Sequence, residues 1–373
     1  MTSPRIRIGG REIGGGRPTY IVAEMSANHG NKIERALRII EEAHQAGADA
    51  IKVQTYLPDT ITLDCDSRDF RIEGTLWEGR RLYDLYAEAS MPWEWQPKLK
   101  QAANDLGMDF FSTPFDDTAV DFLESLDVPA YKVASFEIVD LPLLKRIAKT
   151  GKPVILSTGM ATREEIAEAI QTLRDHGSEE IVILKCNSAY PAPPEDMNLR
   201  TMLDMSRQFG TVVGLSDHTL GIAVPVAAVS LGASLIEKHF TLSRNDPGPD
   251  SAFSLEPAEL AEMVRSVRTV EAALGEIRYG PTDSDRGNLM FRRSLYAAET
   301  IEQGGRFDEN NVRVVRPGHG LLPRFLPRVL GCRAACRIEA GTPLSWDAVE
   351  SDETAALQDR ESESESRSIR EPS

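Results

Sequence analysis

Two histidines at the ends of successive predicted β-strands are the clearest candidates for chemistry in this chain. His218 ends the run Val212–His218, and His239 lies one residue before the end of the run Ser234–Phe240. Imidazole nitrogens are good ligands for first-row divalent metals, and two of them leave positions open for water and a substrate carbonyl. We therefore expect a Lewis-acidic metal here, Mn²⁺ before Mg²⁺ or Co²⁺. Ordinary hydrogen-bonded strand-end histidines are the competing interpretation.

Two lysines lie inside or at the ends of apolar runs, where a cation must meet an anion or lose its charge. Lys52 shares a strand face with Gln54, because side chains alternate along a strand, and Lys132 lies in a later run. Hydroxyl residues at other strand ends complete a cluster: Thr113, Ser135, Ser157 and Ser216. We expect this cluster to bind a substrate bearing carboxylate and phosphate. A Schiff-base Lys52, as in metal-free aldolases, and a structural lysine remain alternatives.

The spacing of Lys132 and Ser135 in the run 130–135 conflicts with a cluster formed by one strand face. Lys132 and Ser135 are three residues apart, so they cannot share a face of one regular strand. One of them must reach the cluster through a turn or a bulge.

Polar residues end every one of the eight apolar runs, which a purely structural scaffold does not require. The polar strand-end residues not yet named include the carboxylates Glu24 and Glu137. Ser188 and Tyr190 follow the sixth run. In barrel enzymes the chemistry lies at the carboxyl ends of the strands. The pattern therefore predicts an enzyme with its active site at that end.

The elements that must position these residues are short β-rich runs separated by helical segments. The runs are 19–25, 50–56, 108–114, 130–135, 153–159, 181–187, 212–218 and 234–240. Capping pairs, Asn31 with Glu34 and Thr162 with Glu165, introduce two of the helices. Eight strand–helix repeats predict an α/β fold, a (β/α)8 TIM barrel. A doubly wound open sheet is the rival, but no GxGxxG turn follows the first run.

The chain divides into four predicted segments. Residues 1–280 form the barrel, which begins with a hairpin over 5–16 at its bottom, and a polar linker follows at 281–290. Residues 291–350, with short strands and turn glycines, form a small β-rich domain. Residues 351–373 are an acidic, disordered tail. The stretch 57–92 is long for a connection, which is typical of a lid or binding loop.

Charge and composition narrow the class of partner. The 373 residues carry 42 Lys and Arg against 58 Asp and Glu, a formal charge of −16. This argues against nucleic acid and anionic membranes as partners, though not against a small anionic substrate. The four cysteines form no CxxC pair, the amino terminus lacks an apolar signal segment, and no apolar stretch suffices to span a membrane. We expect a soluble, cytoplasmic protein.

Several motifs, in order along the chain, resemble those of the sialic acid synthase family. They are Ile21-Val-Ala-Glu-Met-Ser-Ala-Asn-His-Gly30, Ile51-Lys-Val-Gln-Thr-Tyr56, Phe111-Ser-Thr-Pro-Phe115, Gly214-Leu-Ser-Asp-His-Thr-Leu220 and Ile236-Glu-Lys-His-Phe240. The second unit, with Arg313-Val-Val-Arg-Pro-Gly-His-Gly320, resembles the antifreeze-like (SAF) domain of that family. The resemblance implies condensation of phosphoenolpyruvate with an open-chain acylamino sugar, which forms a nine-carbon 2-keto acid and phosphate.

The resemblance also implies roles for individual residues. His218 and His239 would bind the metal, and Glu24 and Glu137 would lie near the reacting atoms. The implied contacts of phosphoenolpyruvate are Lys52, Thr113, Lys132, Ser135, Ser157, Ser188 and Ser216. The implied contacts of the sugar are Gln54, Tyr190 and Asp250. Arg316 of the SAF domain would reach the partner's active site in a domain-swapped homodimer.

Finer features resemble the branch of the family that forms pseudaminic acid. They are Ser135-Phe-Glu-Ile-Val-Asp140, Cys186-Asn-Ser-Ala-Tyr-Pro-Ala-Pro193 and Asp250-Ser-Ala-Phe-Ser-Leu255. The sugar of that branch is 2,4-diacetamido-2,4,6-trideoxy-L-altrose. Ser188 stands where neuraminate synthases have an Asn that contacts phosphoenolpyruvate. Neuraminate and legionaminate synthases are alternatives, as is a non-enzymatic carbohydrate-binding protein whose functional part is the SAF-like unit.

Overall fold

The computed structural model describes residues 4–350 and contains two compact units. The first unit ends at Gly275 and the second begins at Glu276. The predicted tail at 351–373 lies outside the described residues. Within the described range, no helix is both long enough and apolar enough to cross a membrane.

The first unit is built on a closed barrel of eight parallel strands among the described residues. The strands are β3 (Tyr20–Glu24), β4 (Ala50–Thr55), β5 (Asp109–Pro114), β6 (Tyr131–Val133), β7 (Val154–Ser157), β8 (Ile181–Cys186), β9 (Val212–Asp217) and β10 (Leu235–His239). The last strand pairs with the first, Leu235 with Tyr20 and His239 with Glu24. This closure confirms the predicted barrel and excludes the open sheet, whose edge strands would stay unpaired.

Helices follow the strands and cover the barrel. They are α1 (Ile33–Gln45), α2 (Pro58–Ile61), α3 (Leu82–Ala89), α4 (Gln96–Asp105), α5 (Asp117–Ser125), α6 (Leu141–Ala148), α7 (Arg163–Asp175), α8 (Thr201–Phe209), α9 (Ala223–Ser230) and α10 (Pro257–Leu274). Most of them bury apolar side chains, as α1 does with Ala36, Ile40 and Ala43, whereas the four-residue α2 buries none. Buried apolar residues of the helices and the strands form one continuous core. This core holds the strand ends in fixed positions.

Of the two predicted helix caps, one is confirmed and one is wrong. Thr162 and Glu165 form the reciprocal capping box at the start of α7. Helix α1, however, begins at Ile33 after Lys32, without a side-chain cap. Asn31 adopts a positive φ of 54°, and its side-chain amide instead donates to the Glu88 carbonyl, 3.1 Å away. A tertiary contact has replaced the local cap.

The predicted hairpin at the bottom of the barrel is confirmed. Strands β1 (Arg5–Ile8) and β2 (Arg11–Gly14) pair in antiparallel register, and the side chains of Ile8 and Ile13 are buried in the barrel core. The Arg7 amide donates to Glu180, 2.9 Å away. Because Glu180 directly precedes β8, the hairpin lies at the amino ends of the strands, opposite the predicted active site.

The second unit has its own small core, as its short strands and turn residues predict. Strands β11 (Ser294–Ala297) and β12 (Val312–Val315) pair in antiparallel register, and one short helix, α11 (Leu326–Val329), follows. Isolated bridges, such as Ile301 with Ile338, extend the pairing. Leu295, Phe307 and Leu344 are among the residues of its core, so this unit packs independently of the barrel core.

Candidate active site

Four charged side chains meet inside the carboxyl end of the barrel. Lys52 Nζ lies 2.9 Å from Glu24 Oε2 and 3.6 Å from Glu237 Oε1. Lys132 Nζ lies 3.8 Å from the same Glu237 oxygen. All four residues are buried. Glu237 thus lies between the two lysines, and the cluster of two cations and two carboxylates is electrically balanced.

Burial and pairing set the charge states of this cluster. Burial acts to lower the pKa of Lys52, but Glu237 and Glu24 outweigh it and raise that pKa, so Lys52 stays a cation. Burial lowers the pKa of Lys132 although Glu237 opposes the shift. Burial likewise raises the pKa of Glu24. Glu237 shows the reverse, because Lys132 and Lys52 outweigh the effect of burial and lower its pKa.

The predicted hydroxyls surround the two ammonium groups. Lys52 Nζ donates to Thr113 Oγ1 at 3.1 Å, and Lys132 Nζ donates to Ser157 Oγ at 2.8 Å. Ser216 Oγ donates to Glu237 Oε1 at 3.3 Å. Cations and hydroxyls on five strands therefore converge on one region, an arrangement suited to a phosphorylated carboxylate.

Gln54 extends this network toward the mouth of the barrel. Its amide Nε2 donates to Glu24 Oε1 at 3.0 Å and to Ser26 Oγ at 2.9 Å. Gln54 and Lys52 therefore share the inward face of β4, as side-chain alternation predicts.

The side chains of Ser135 and Ser188 both lie close to Gly159. Strand β6 ends at Val133, so Ser135 lies in the following turn, which removes the parity conflict with Lys132. Gly159 has φ +28°, and a Cβ at this position would lie 2.4 Å from the Cβ of Ser135 and 2.6 Å from Ser188 Oγ. Glycine is needed here for this close approach. Ser188 therefore lies next to Ser135, one of the predicted hydroxyls.

The two histidines lie side by side at the ends of β9 and β10, with ring centroids 5.3 Å apart. His218 Nδ1 lies 2.7 Å from the Asn187 carbonyl. Because a carbonyl only accepts, Nδ1 carries the proton, so Nε2 is the nitrogen that would bind a metal. Burial acts to lower the pKa of His218, but Cys186 and the bond to Asn187 outweigh it and raise that pKa. Burial lowers the pKa of His239 well below its ordinary value, with the charge of His218 acting in the same direction, so His239 is neutral.

These histidines fit an open divalent metal site. His239 Nδ1 is buried without a hydrogen-bond partner among the described residues, and Asp250 Oδ2, at 3.9 Å, is too distant to bond it. The described part of the chain holds no group of three or more His, Cys, Asp or Glu side chains arranged around one metal. Two imidazoles with open positions suit a substrate-binding metal better than a closed structural one.

Aromatic rings form a wall above the histidines. The Tyr190 ring lies 4.4 Å from that of His218 and 5.3 Å from that of Phe253. The Phe253 ring also lies 5.0 Å from that of His239. Asp250 lies next to this wall and accepts from the Ala27 amide at 3.4 Å. Tyr190 and Asp250, the predicted sugar contacts, therefore both lie beside the histidine pair.

Glu137 faces the same interior from a short 3-10 turn, Glu137–Val139. Its Oε2 is buried without a hydrogen-bond partner among the described residues. Burial raises its pKa from 4.5 to about 7, while the charge of Lys132 partly opposes the shift. The charge of Glu137 in turn contributes to the raised pKa of Tyr190. Glu137 therefore lies within electrostatic reach of both the lysine cluster and the aromatic wall.

Three residues to which the sequence patterns give no role also lie at this site. Glu237 shares with His239 the inward face of β10, and this two-residue spacing was the signal that could have identified it. Cys186 contacts Ser135 Oγ at 3.4 Å and His218 Nδ1 at 3.9 Å. Phe253 gave no signal beyond its apolarity. Arg316 is an exposed residue of the second unit, and its contact with an active site remains a prediction.

Comparison with known proteins identifies the family. The sequence model of the NeuB family matches residues 39–279. The chain belongs to the NeuB family. The SAF domain model matches residues 292–350, so this NeuB chain carries both predicted parts.

The curated relatives span nearly the whole of this NeuB protein. It is 44% identical to pseudaminic acid synthase of Campylobacter jejuni over 328 residues, which cover 88% of this chain and 96% of the relative. The identity to pseudaminic acid synthase of Helicobacter pylori is also 44%, over 90% of this chain and 98% of the relative. N,N'-diacetyllegionaminic acid synthase of Legionella pneumophila is 35% identical, over 89% of this chain and 94% of the relative.

A solved relative has the same architecture. The N-acetylneuraminic acid synthetase of Leptospira borgpetersenii, determined in complex with citrate, matches with a TM-score of 0.69 at 33% identity. The match covers 77% of this chain and 95% of that one. The predicted fold class and family resemblance are therefore both confirmed.

Proposed function

We propose that this chain condenses phosphoenolpyruvate with open-chain 2,4-diacetamido-2,4,6-trideoxy-L-altrose and water to give pseudaminic acid and phosphate. The observation that carries the choice of sugar is the 44% identity to two pseudaminic acid synthases over almost their full length. The buried cluster of lysines and hydroxyls beside the two histidines supports the reaction type. Members with other sugars match less closely, at 35–37% for two legionaminic acid synthases.

Phosphoenolpyruvate would bind at the lysine cluster. Lys52 and Lys132 present ammonium groups that already hold Thr113 and Ser157 in position. Ser216 lies on the neighbouring strand, and Ser135 and Ser188 lie beside Gly159. The burial of this pocket strengthens each interaction with the phosphate and carboxylate, because little water screens it.

The sugar would lie above, with its aldehyde toward the histidines. His218 and His239 would hold a divalent metal, most suitably Mn²⁺, which would supply Lewis acidity to the aldehyde oxygen. Tyr190, Gln54 and Asp250 would orient the acylamino sugar. Carbon 3 of phosphoenolpyruvate then attacks the aldehyde carbon, so that a C–C bond forms and the aldehyde oxygen becomes an alkoxide that takes up a proton.

The second half of the reaction needs a base. After C–C bond formation, carbon 2 of the former enol phosphate carries oxocarbenium character and takes up water. Glu137, with its pKa near 7, would accept the proton of that water. The resulting tetrahedral carbon expels phosphate by cleavage of its C–O bond and loses its hydroxyl proton to become the ketone. Glu24, held by Lys52 and Gln54, would orient the reacting groups.

The two rival classes fit the site less well. A Schiff-base aldolase on Lys52 requires a neutral amine, whereas Glu237 and Glu24 raise the pKa of Lys52. A carbohydrate-binding protein without catalysis would not require two buried lysines and two buried glutamates within the barrel. Trapping with borohydride tests the first rival, since only a Schiff base leaves a covalent adduct.

Assembly and location complete the proposal. We propose a domain-swapped homodimer in which Arg316 of each SAF domain reaches the partner's active site. The second unit has its own core, which would allow it to pack against a partner's barrel. The described cysteines are free thiols, which supports work in the cytoplasm, where phosphoenolpyruvate is made.

Phosphate release from phosphoenolpyruvate, measured with a panel of acylamino sugars, tests the proposed function. The panel contains the L-altro trideoxy sugar, its legionaminate-forming isomer and N-acetylmannosamine, each with added Mn²⁺. We expect the L-altro sugar to give the highest kcat/KM. Absence of release with every sugar would refute the synthase, and preference for another sugar would reassign the branch.

A further inference from the structure

The aromatic side chain of Trp77 connects the long segment 57–92 to the barrel. Residues 71–81 of this segment form a small hairpin, in which the Ile72 amide donates to the Arg80 carbonyl and the Gly79 amide donates to the Ile72 carbonyl. Most of this hairpin is exposed, including Leu76 at 53%, but Trp77 is half-buried. A large apolar residue that is covered on an exposed loop must be packing against something outside that loop.

The partners of Trp77 belong to the active-site end of the barrel. Its indole Nε1–H donates to the Pro249 carbonyl at 3.1 Å, directly before Asp250. Its ring lies 5.7 Å from that of Tyr190. The segment after β4 is thereby tied to the segments after β8 and β10, and Trp77 extends the aromatic wall described above.

The order of the rings indicates which part of a sugar Trp77 would meet. Tyr190 contacts the ring of His218 at 4.4 Å and that of His239 at 6.3 Å, and Trp77 contacts Tyr190. Trp77 therefore lies one ring farther from the histidines. With the aldehyde carbon at the histidines, the indole faces the far end of the sugar, carbons 4 to 6.

We propose that Trp77 is a specificity-determining residue that selects 6-deoxy acylamino sugars. This inference rests on the proposed function. A 2,4-diacetamido-2,4,6-trideoxy sugar has a methyl group at carbon 6 and an acetamido group, with its own methyl, at carbon 4. The indole buries both of these methyl groups. N-acetylmannosamine carries hydroxyls at both positions. The one N–H of the indole is already donated to Pro249, so those hydroxyls would lose water without gaining a partner from Trp77.

Sugar binding without phosphoenolpyruvate, measured by titration calorimetry in the presence of Mn²⁺, tests this role apart from turnover. Wild type, Trp77→Ala and Trp77→Phe are each titrated with the trideoxy sugar and with N-acetylmannosamine. We expect Trp77→Ala to weaken binding of the trideoxy sugar by about 10-fold or more, since one methyl contact is worth about 10-fold. The preference of this variant for the trideoxy sugar over N-acetylmannosamine should fall by a similar factor. Trp77→Phe, which keeps a ring, should fall between.

Two controls separate this role from a structural one. Leu76→Ala truncates an exposed apolar neighbour on the same hairpin and should retain wild-type affinity for both sugars. Phosphoenolpyruvate binding by Trp77→Ala should stay within about 3-fold of wild type, because the lysine cluster is untouched. An unchanged ratio of sugar affinities in Trp77→Ala, or an equal loss for both sugars and phosphoenolpyruvate, would overturn the inference. A wild type that binds the trideoxy sugar without ever releasing phosphate would defeat the proposed function alone.

Discussion

Replacing Glu137 by Gln should make the protein more stable and much less active, with both effects depending on pH. Burial raises the Glu137 pKa from 4.5 to about 7. The folded state therefore holds this proton more tightly than the unfolded chain does. Between pH 4.5 and 7 the unfolded chain releases this proton while the folded state keeps it, so the free energy of unfolding falls progressively. Above pH 7 both states are ionised and the loss stays constant.

The size of the effect follows from the shift itself. A difference of about 2.5 pKa units corresponds to about 3 kcal/mol above pH 8, and to about 1 kcal/mol at pH 5.5, where the folded side chain is still protonated. Gln keeps the shape and removes the charge. We expect Glu137→Gln to unfold about 5 °C above wild type at pH 8.5, and only about 2 °C above it at pH 5.5.

Activity should change in the opposite direction. A general base must be ionised, so kcat/KM of wild type should rise with pH to a plateau just above 7. Glu137→Gln should lose about 100-fold or more in kcat and lack this rise. Calorimetric unfolding and phosphate release, both followed from pH 5.5 to 8.5, measure the two effects. The matched control is Glu168→Gln, which changes an exposed glutamate of α7 and should alter neither. Equal stabilisation of Glu137→Gln at both pH values would refute the reasoning.

Three further predictions concern a buried pair, the metal and the second unit. Lys238→Met should destabilise the barrel by about 3–5 kcal/mol, because it leaves the buried carboxylate of Asp217 uncompensated; the double variant with Asp217→Asn should recover much of the loss in denaturant unfolding, and no recovery would argue against pairing as the cause. Dialysis against EDTA should abolish phosphate release and Mn²⁺ should restore it, whereas full activity without metal would rule out the proposed Lewis acid. Arg316→Ala should lose most activity yet remain a dimer by light scattering, with exposed Arg313→Ala as its control; wild-type turnover in Arg316→Ala would exclude the cross-subunit role.

The barrel and most of the site could be predicted from the sequence, because both follow from the regular pattern of the strands and the alternation of side chains along them. Lys52 with Gln54, and Glu237 with His239, are two residues apart on inward faces, so a strand assignment already places their side chains. Contacts between residues far apart in sequence were beyond this reasoning. Asn31 looked like a helix cap, but a tertiary acceptor on the segment 57–92 took its amide. No sequence pattern near Trp77 predicts its contact with Tyr190, which lies more than a hundred residues away in the chain.

The alternation that brings the catalytic groups inward also places an ion pair on the opposite face of the same strands. Lys238 lies between Glu237 and His239, and Asp217 directly precedes His218. Lys238 and Asp217 are register partners in neighbouring strands and form a buried ion pair, and the Lys238 ammonium also donates to the Thr219 carbonyl. Because the two histidines are the chain neighbours of this pair, a shift of β9 against β10 would both break the pair and separate the imidazoles. The Lys238–Asp217 contact therefore contributes both to the stability of the barrel wall and to the geometry of the proposed metal site.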